Sequence, residues 1–172
     1  NSVLMPKKLL LSSYHVYAAI LVSELIKHLD KCNMESIKYS IGVISPYKAQ
    51  SLLMNKLISA SGISENITIH CNTVHGFQGD ECDIAIFVVN PNNFYHSGHP
   101  KALLSKEYIY NVAISRAKDY LWILNPISTI SNNQYIQKIQ HIRKSLDASG
   151  ENTVIQSHEI EKEIFGYPNF IV

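Results

Sequence analysis

Between Thr73 and Glu81 the chain sets a hydroxyl (Thr73), an amide (Gln78), two glycines (Gly76, Gly79) and two carboxylates (Asp80, Glu81). A hydroxyl beside free main-chain amides can hold a phosphate without any net charge. Glycine lets a backbone approach a ligand closely. A carboxylate can accept hydrogen bonds from sugar hydroxyls or orient an arginine. The run lies between two apolar stretches rich in β-branched residues, 67–71 and 83–89, which read as strands. Neither alternates with polar residues, so both faces read as buried, as in a parallel sheet covered by helices. The connection from Asn72 to Cys82 is roughly the dozen residues that a parallel crossover needs. On this reading both glycines lie just past the C-terminal end of a strand, where open α/β sheets bind ligands.

Arg116 falls near the end of a predicted helix, 106–117, on the same stripe as Ile109, Val112 and Ala113. A cation there opposes the negative end of the helix dipole. On an apolar stripe it also needs a partner or an opening, because an unpaired buried charge is costly. Ser45-Pro46 reads as a helix N-cap followed by proline at the first helical position, and such an N-terminus suits an anion. Tyr47 and Lys48 could then stack on a base or neutralise a phosphate. His70, Cys71, His75 and Cys82 have a spacing that fits no common zinc finger, and His70 and Cys71 point to opposite faces of a strand. No metal site is expected.

The elements that must position these groups follow from periodicity. Ala18, Leu21, Val22, Leu25, Ile26 and Leu29 mark an amphipathic helix over 14–31, and Leu9–Leu11 could be an entering strand. A buried strand at 41–44 precedes a helix running to about Ala60, where Ser61-Gly62 is a stop. The stretch 90–100 is a polar loop. Ser105 can cap the helix that carries Arg116, and 119–124 is the next strand. Helices are expected at 132–148 and 158–165. Strands alternating with helices mean α/β with a mainly parallel sheet, and 172 residues suit one domain with its core at about 8–149 and a tail from 150.

With 46% hydrophobic and 17% charged residues the chain reads as globular, and a net charge of +1 argues against a strongly basic clamp. A groove holding a few phosphates through amides, hydroxyls and scattered lysines remains compatible with it. No apolar run reaches membrane-spanning length. Three cysteines without a C-x-x-C point to a reducing compartment, read as cytoplasmic.

Three segments resemble a known family in order. TVHGFQGDECD (73–83) is similar to the fifth motif of superfamily 1 helicases, in the 5′-to-3′ branch related to nonsense-mediated-decay helicases. IGVISPYKAQ (41–50) resembles motif IV and NVAISRAK (111–118) motif VI. The resemblance implies a RecA-like, P-loop-NTPase-type fold with helices on both sheet faces. It makes Arg116 the finger that reaches the γ-phosphate, and puts Gln78, Gly79 and Glu81 along the nucleotide cleft. Ser45, Pro46, Tyr47, Thr73, Val74 and His75 would face single-stranded DNA or RNA. His75 stands where many relatives carry an acid, and Tyr108 and Ile109 stand where they often show an arginine pair. The chain lacks a G-x-x-x-x-G-K-[ST] phosphate loop and a Walker B carboxylate pair. The family keeps these in a preceding RecA-like domain, which would hold ATP and Mg2+. The expectation is therefore the second motor domain of a helicase, inactive in isolation. A non-hydrolytic nucleic-acid-binding module and an unrelated small-molecule-binding doubly wound domain are the rivals, and the lack of G-x-G-x-x-G speaks against a dinucleotide.

Overall fold

Apolar residues recurring at helical spacing in the first third of the chain form α1 (Ser13–Cys32), which buries Ala18, Ala19, Leu21, Val22 and Ile26. In this computed structural model the described residues are 13–77, 79–89, 104, 106–124, 141, 153 and 155–166. After α1 come β1 (Tyr39–Ser45), α2 (Lys48–Ser59), β2 (Ile67–Thr73) and a single 3₁₀ turn, His75–Phe77. β3 (Cys82–Val88), α3 (Glu107–Ile114) and β4 (Ala117–Leu124) follow. The expected entering strand at 9–11 and the helix at 132–148 lie outside the described residues, apart from His141. The chain divides into two compact units, 1–126 and 127–172. In the second, α4 (Ser157–Phe165) opens with a capping box between Gln156 and Glu159 and ends at Gly166 in the left-handed conformation.

The four strands of the first unit form one all-parallel sheet in the order β2-β1-β3-β4. β2 lies on one side of β1 and β3 with β4 on the other, so the order reverses at β1. The α/β, RecA-like expectation holds, with helices on both faces. Ile41, Val43, Ile67, Cys71, Ile86 and Val88 point to one face and pack with Val22 and Ile26 of α1 and Met54 and Ile58 of α2. On the other face α3 lies over β3, with Tyr110 edge-on to Phe87 at 5.8 Å between ring centroids. Burying these side chains on both faces is the main source of stability, at about 25 cal/mol per Å² of apolar surface.

The burial of β2 and the start of α2 differ from the sequence expectation. β2 alternates buried and exposed positions, because as the edge of the described sheet only its helix-covered face is packed. α2 starts at Lys48, not at Pro46, and Ser45 is the last residue of β1. The Ser45 carbonyl accepts the Val74 N–H at 3.1 Å, so the parallel ladder continues one residue beyond the expected strand end and holds Ser45 out of the helix.

Acid should destabilise this domain over two pH ranges. His15 is fully buried on α1, and burial pushes its imidazole from 6.5 down to about 4. Below pH 6.5 the unfolded chain takes up a proton that the folded chain refuses. Stability therefore falls as pH drops from about 6.5 to about 4, by about 3 kcal/mol in all. Asp83 adds a second step. Both the N–H and the hydroxyl of Ser40 donate to its Oδ2 at 2.7 Å, holding the carboxyl below its ordinary 3.8. That contribution is present above pH 3.8 and is lost as pH falls through the lowered value. Urea midpoints measured against pH should show both limbs. His15→Asn should flatten the upper limb and keep the lower, whereas Ser40→Ala should do the reverse.

Candidate functional site

The segment joining β2 to β3 must return from the C-terminal end of the sheet to its N-terminal end, since the two strands are parallel with β1 between them. It does so across β1. Phe77, 1% exposed, lies over Gly42, where an added Cβ would stand 3.1 Å from its ring and 2.5 Å from Cys82 Sγ. Glycine at 42 is thus what lets the segment cross so closely. The crossing separates the candidate residues into two groups, one at each end of strands about 20 Å long. The expectation that both glycines follow a strand's C-terminal end holds for Gly76 alone. Gly79 stands beside the first residues of β3 and β4, because the crossing is complete by then.

At the C-terminal end, Thr73 closes β2 and its hydroxyl accepts the Gly76 N–H at 3.3 Å, which caps the turn and leaves its own O–H to donate. Val74 points inward, 1% exposed, and its N–H is taken by Ser45. His75 is exposed. Ser45 is buried, donates to Gln50 Oε1 at 2.8 Å and accepts the Tyr47 N–H at 3.2 Å. It therefore fixes the β1–α2 turn from inside the strand, with Pro46 buried and Tyr47 half-buried edge-on to His15 at 6.0 Å. Ser45→Ala strands the buried Gln50 carbonyl oxygen and should cost about 1–3 kcal/mol in urea unfolding.

At the N-terminal end, Gly79 adopts φ +98, a left-handed conformation that other residues enter only with strain. His70, Phe77, Gly79 and Asp80 line a cavity of about 320 Å³ with Glu81, Cys82 and Lys118. Glu81 is exposed and makes no hydrogen bond or ion pair among the described residues. Burial raises the Cys82 thiol, which keeps it protonated at neutral pH as a wall of this cavity. Gln78 lies outside the described residues.

Arg116 falls beyond α3, which ends at Ile114, and so is not on its apolar stripe. Its Nε donates to the Val112 carbonyl at 3.1 Å, Nη1 to the Asp80 carbonyl at 2.9 Å and Nη2 to Ser115 Oγ at 2.8 Å. The first bond satisfies a helix-end carbonyl, as a cation there commonly does. The second ties the guanidinium to the Gly79–Glu81 loop. Of five guanidinium N–H donors, two make no bond among the described residues.

Residues 7–128 match the family model described as an AAA domain. The chain belongs to this AAA domain family. It is 33% identical over 148 residues to an uncharacterized ATP-dependent helicase of Methanocaldococcus jannaschii, covering 84% of this chain and 20% of that protein. It is 34% identical over 129 residues to the DNA polymerase alpha-associated DNA helicase A of Saccharomyces cerevisiae, covering 73% of this chain and 18% of the relative. Helicase sen1 of Schizosaccharomyces pombe is 31% identical over 118 residues, 68% of this chain and 7% of that one. The chain thus spans a fifth or less of the length of these relatives. The matched residues contain both ends of the sheet and every candidate residue.

Sequence reasoning missed three contributors. His70 reaches the cavity from the open face of β2, and nothing in an apolar run signals that. Lys118 stands two residues after Arg116, a spacing that puts the two on either side of the first residue of β4 and could have been read. Tyr108 is the third. Its ring meets His75 at 5.7 Å and 73°, so two positions that depart from the helicase pattern touch each other.

Proposed function

We infer that this chain is the second RecA-like motor domain of an ATP-dependent superfamily 1 helicase of the 5′-to-3′ branch. Its motifs in order, its AAA domain membership and its similarity to proteins named helicases support the reading. The observation that carries it is Arg116, tethered to the Asp80 carbonyl beside Gly79 and Glu81 at the end of the sheet opposite Thr73 and His75. One end then meets nucleotide and the other a single strand of DNA or RNA.

In this account Arg116 is the finger on the γ-phosphate, and Gly79 and Glu81, with Gln78, line the nucleotide cleft. Lys118 adds a second positive charge at the cavity. Thr73 offers its hydroxyl to a backbone phosphate, and His75 flanks it. Ser45, Pro46 and Val74 shape that end from within, while Tyr47 is drawn towards His15. The phosphate loop and the residues holding Mg2+ with ATP belong to a preceding N-terminal RecA-like domain, so this chain does not hydrolyse ATP alone. When ATP closes the two domains, the Phe77 segment links nucleotide contacts to strand contacts, and hydrolysis releases both. No described helix is long and apolar enough to cross a membrane. Free Cys32, Cys71 and Cys82 suit a reducing setting, for which we take the cytoplasm.

The test is ATP hydrolysis by the intact protein with and without single strand. Stimulation by the strand supports the motor. Strand binding without hydrolysis would convert the reading to a non-hydrolytic binding module.

A further inference from the structure

We propose that Tyr108, braced by His75 and Lys106, is a stacking platform for an unpaired base of single-stranded nucleic acid. The proposal rests on the strand-groove reading above and adds to it a contact with bases, which phosphate-holding hydroxyls and amides do not make.

The three residues come from two elements that meet at the C-terminal end of the sheet. His75 opens the 3₁₀ turn directly after Thr73 and Val74. Lys106 and Tyr108 stand at the start of α3. The Tyr108 hydroxyl reaches His75 Nε2 at 3.5 Å while the rings lie edge to face at 5.7 Å. Lys106 Nζ lies over the Tyr108 ring, 5.9 Å from its centroid. Despite both neighbours Tyr108 is 42% exposed. A large aromatic residue so exposed on a helix is usually free to swing. Here the edge-on His75 ring and the Lys106 ammonium over the ring restrict it, so little side-chain freedom is lost when a base stacks.

Together the group supplies what a strand requires: a π-surface for a base, an ammonium for a neighbouring phosphate, and the Thr73 hydroxyl for the next contact along the backbone. It also suits a chain with a net charge of only +1, because stacking does not depend on charge. Every base has a π-face, so the platform would tolerate any sequence. Tyr47, the tyrosine that the sequence offered for this role, is half-buried against His15 and is less accessible.

The experiment measures fluorescence anisotropy of the intact protein with labelled oligothymidylate or oligouridylate, whichever binds more tightly, and with an abasic strand of equal length. Wild type should prefer the base-bearing strand. Tyr108→Ala should bind that strand about tenfold more weakly and leave abasic binding unchanged, while Tyr108→Phe should retain the preference. A 2-aminopurine placed in the strand should be quenched by wild type and by Tyr108→Phe, and not by Tyr108→Ala. Equal binding of both strands by wild type would overturn the platform and leave the groove standing. So would equal weakening of both by Tyr108→Ala with restoration by Tyr108→Phe, which would make the ring a support for the loop. Binding of neither strand by wild type would remove the groove and the platform together.

Discussion

Arg116→Ala should lower strand-stimulated ATP hydrolysis by about 10³-fold or more in the intact protein, with strand affinity unchanged. The size follows from what such a finger does: it meets charge that develops on the transferring phosphoryl group, and its removal costs about 10³–10⁵ in rate. The structure explains why the effect should be specific. The guanidinium is already fixed by the Val112 and Asp80 carbonyls and by Ser115 Oγ, so the group is preorganised, and two of its donors make no bond among the described residues. Arg116→Lys should recover little, since an ammonium cannot span the Asp80 and Val112 carbonyls with a rigid fork. Ser115→Ala removes one bond of the three and should reduce kcat less than Arg116→Ala does. Hydrolysis by Arg116→Ala at the wild-type rate would reduce the arginine to a helix-end cation.

Phe77→Ala should have the largest effect on stability, about 3–5 kcal/mol, read as a lower urea midpoint. The side chain is almost wholly buried in the crossing segment and faces the gap left by Gly42. Its loss opens a cavity under the link between Thr73–His75 and Gly79–Glu81, so both ligand contacts should weaken as well. Gly42→Ala approaches the same place from the other side. Its new methyl would meet Cys82 Sγ at 2.5 Å and the Phe77 ring at 3.1 Å, and such overpacking costs about 1–3 kcal/mol. The two substitutions share one space, so the double variant should be more stable than their summed losses imply. Simple additivity would mean that Phe77 does not pack on Gly42.

The fold was legible because periodicity reports burial. The stripe of Ala18, Val22 and Ile26 and the apolar runs of β1 and β3 each have one way to hide their side chains, and the structure uses it. Motif order likewise brought Ser45, Thr73, Gly79, Glu81 and Arg116 into one region of sequence. What the sequence could not disclose was how the chain crosses the sheet. The short segment 74–81 gives no sign that it runs over β1, or that Gly42, some thirty residues earlier, makes room for it. That single crossing moved Gly79 to the opposite end from Gly76. The same kind of distance hid the meeting of His75 with Tyr108, which depends on α3 packing back on the sheet. Ser45 was misassigned as a helix cap because its side chain does hydrogen-bond the following turn, though from the last position of a strand.

The division of labour between the two ends of the sheet is tested most directly by residue-resolved amide hydrogen exchange of the intact protein, with single strand alone and with a non-hydrolysable ATP analogue alone. The account predicts that the strand slows exchange at Thr73, His75 and Tyr108, and that the nucleotide slows it at Gly79, Glu81 and Arg116. Protection of one common set by both ligands, or the reverse assignment, would contradict it.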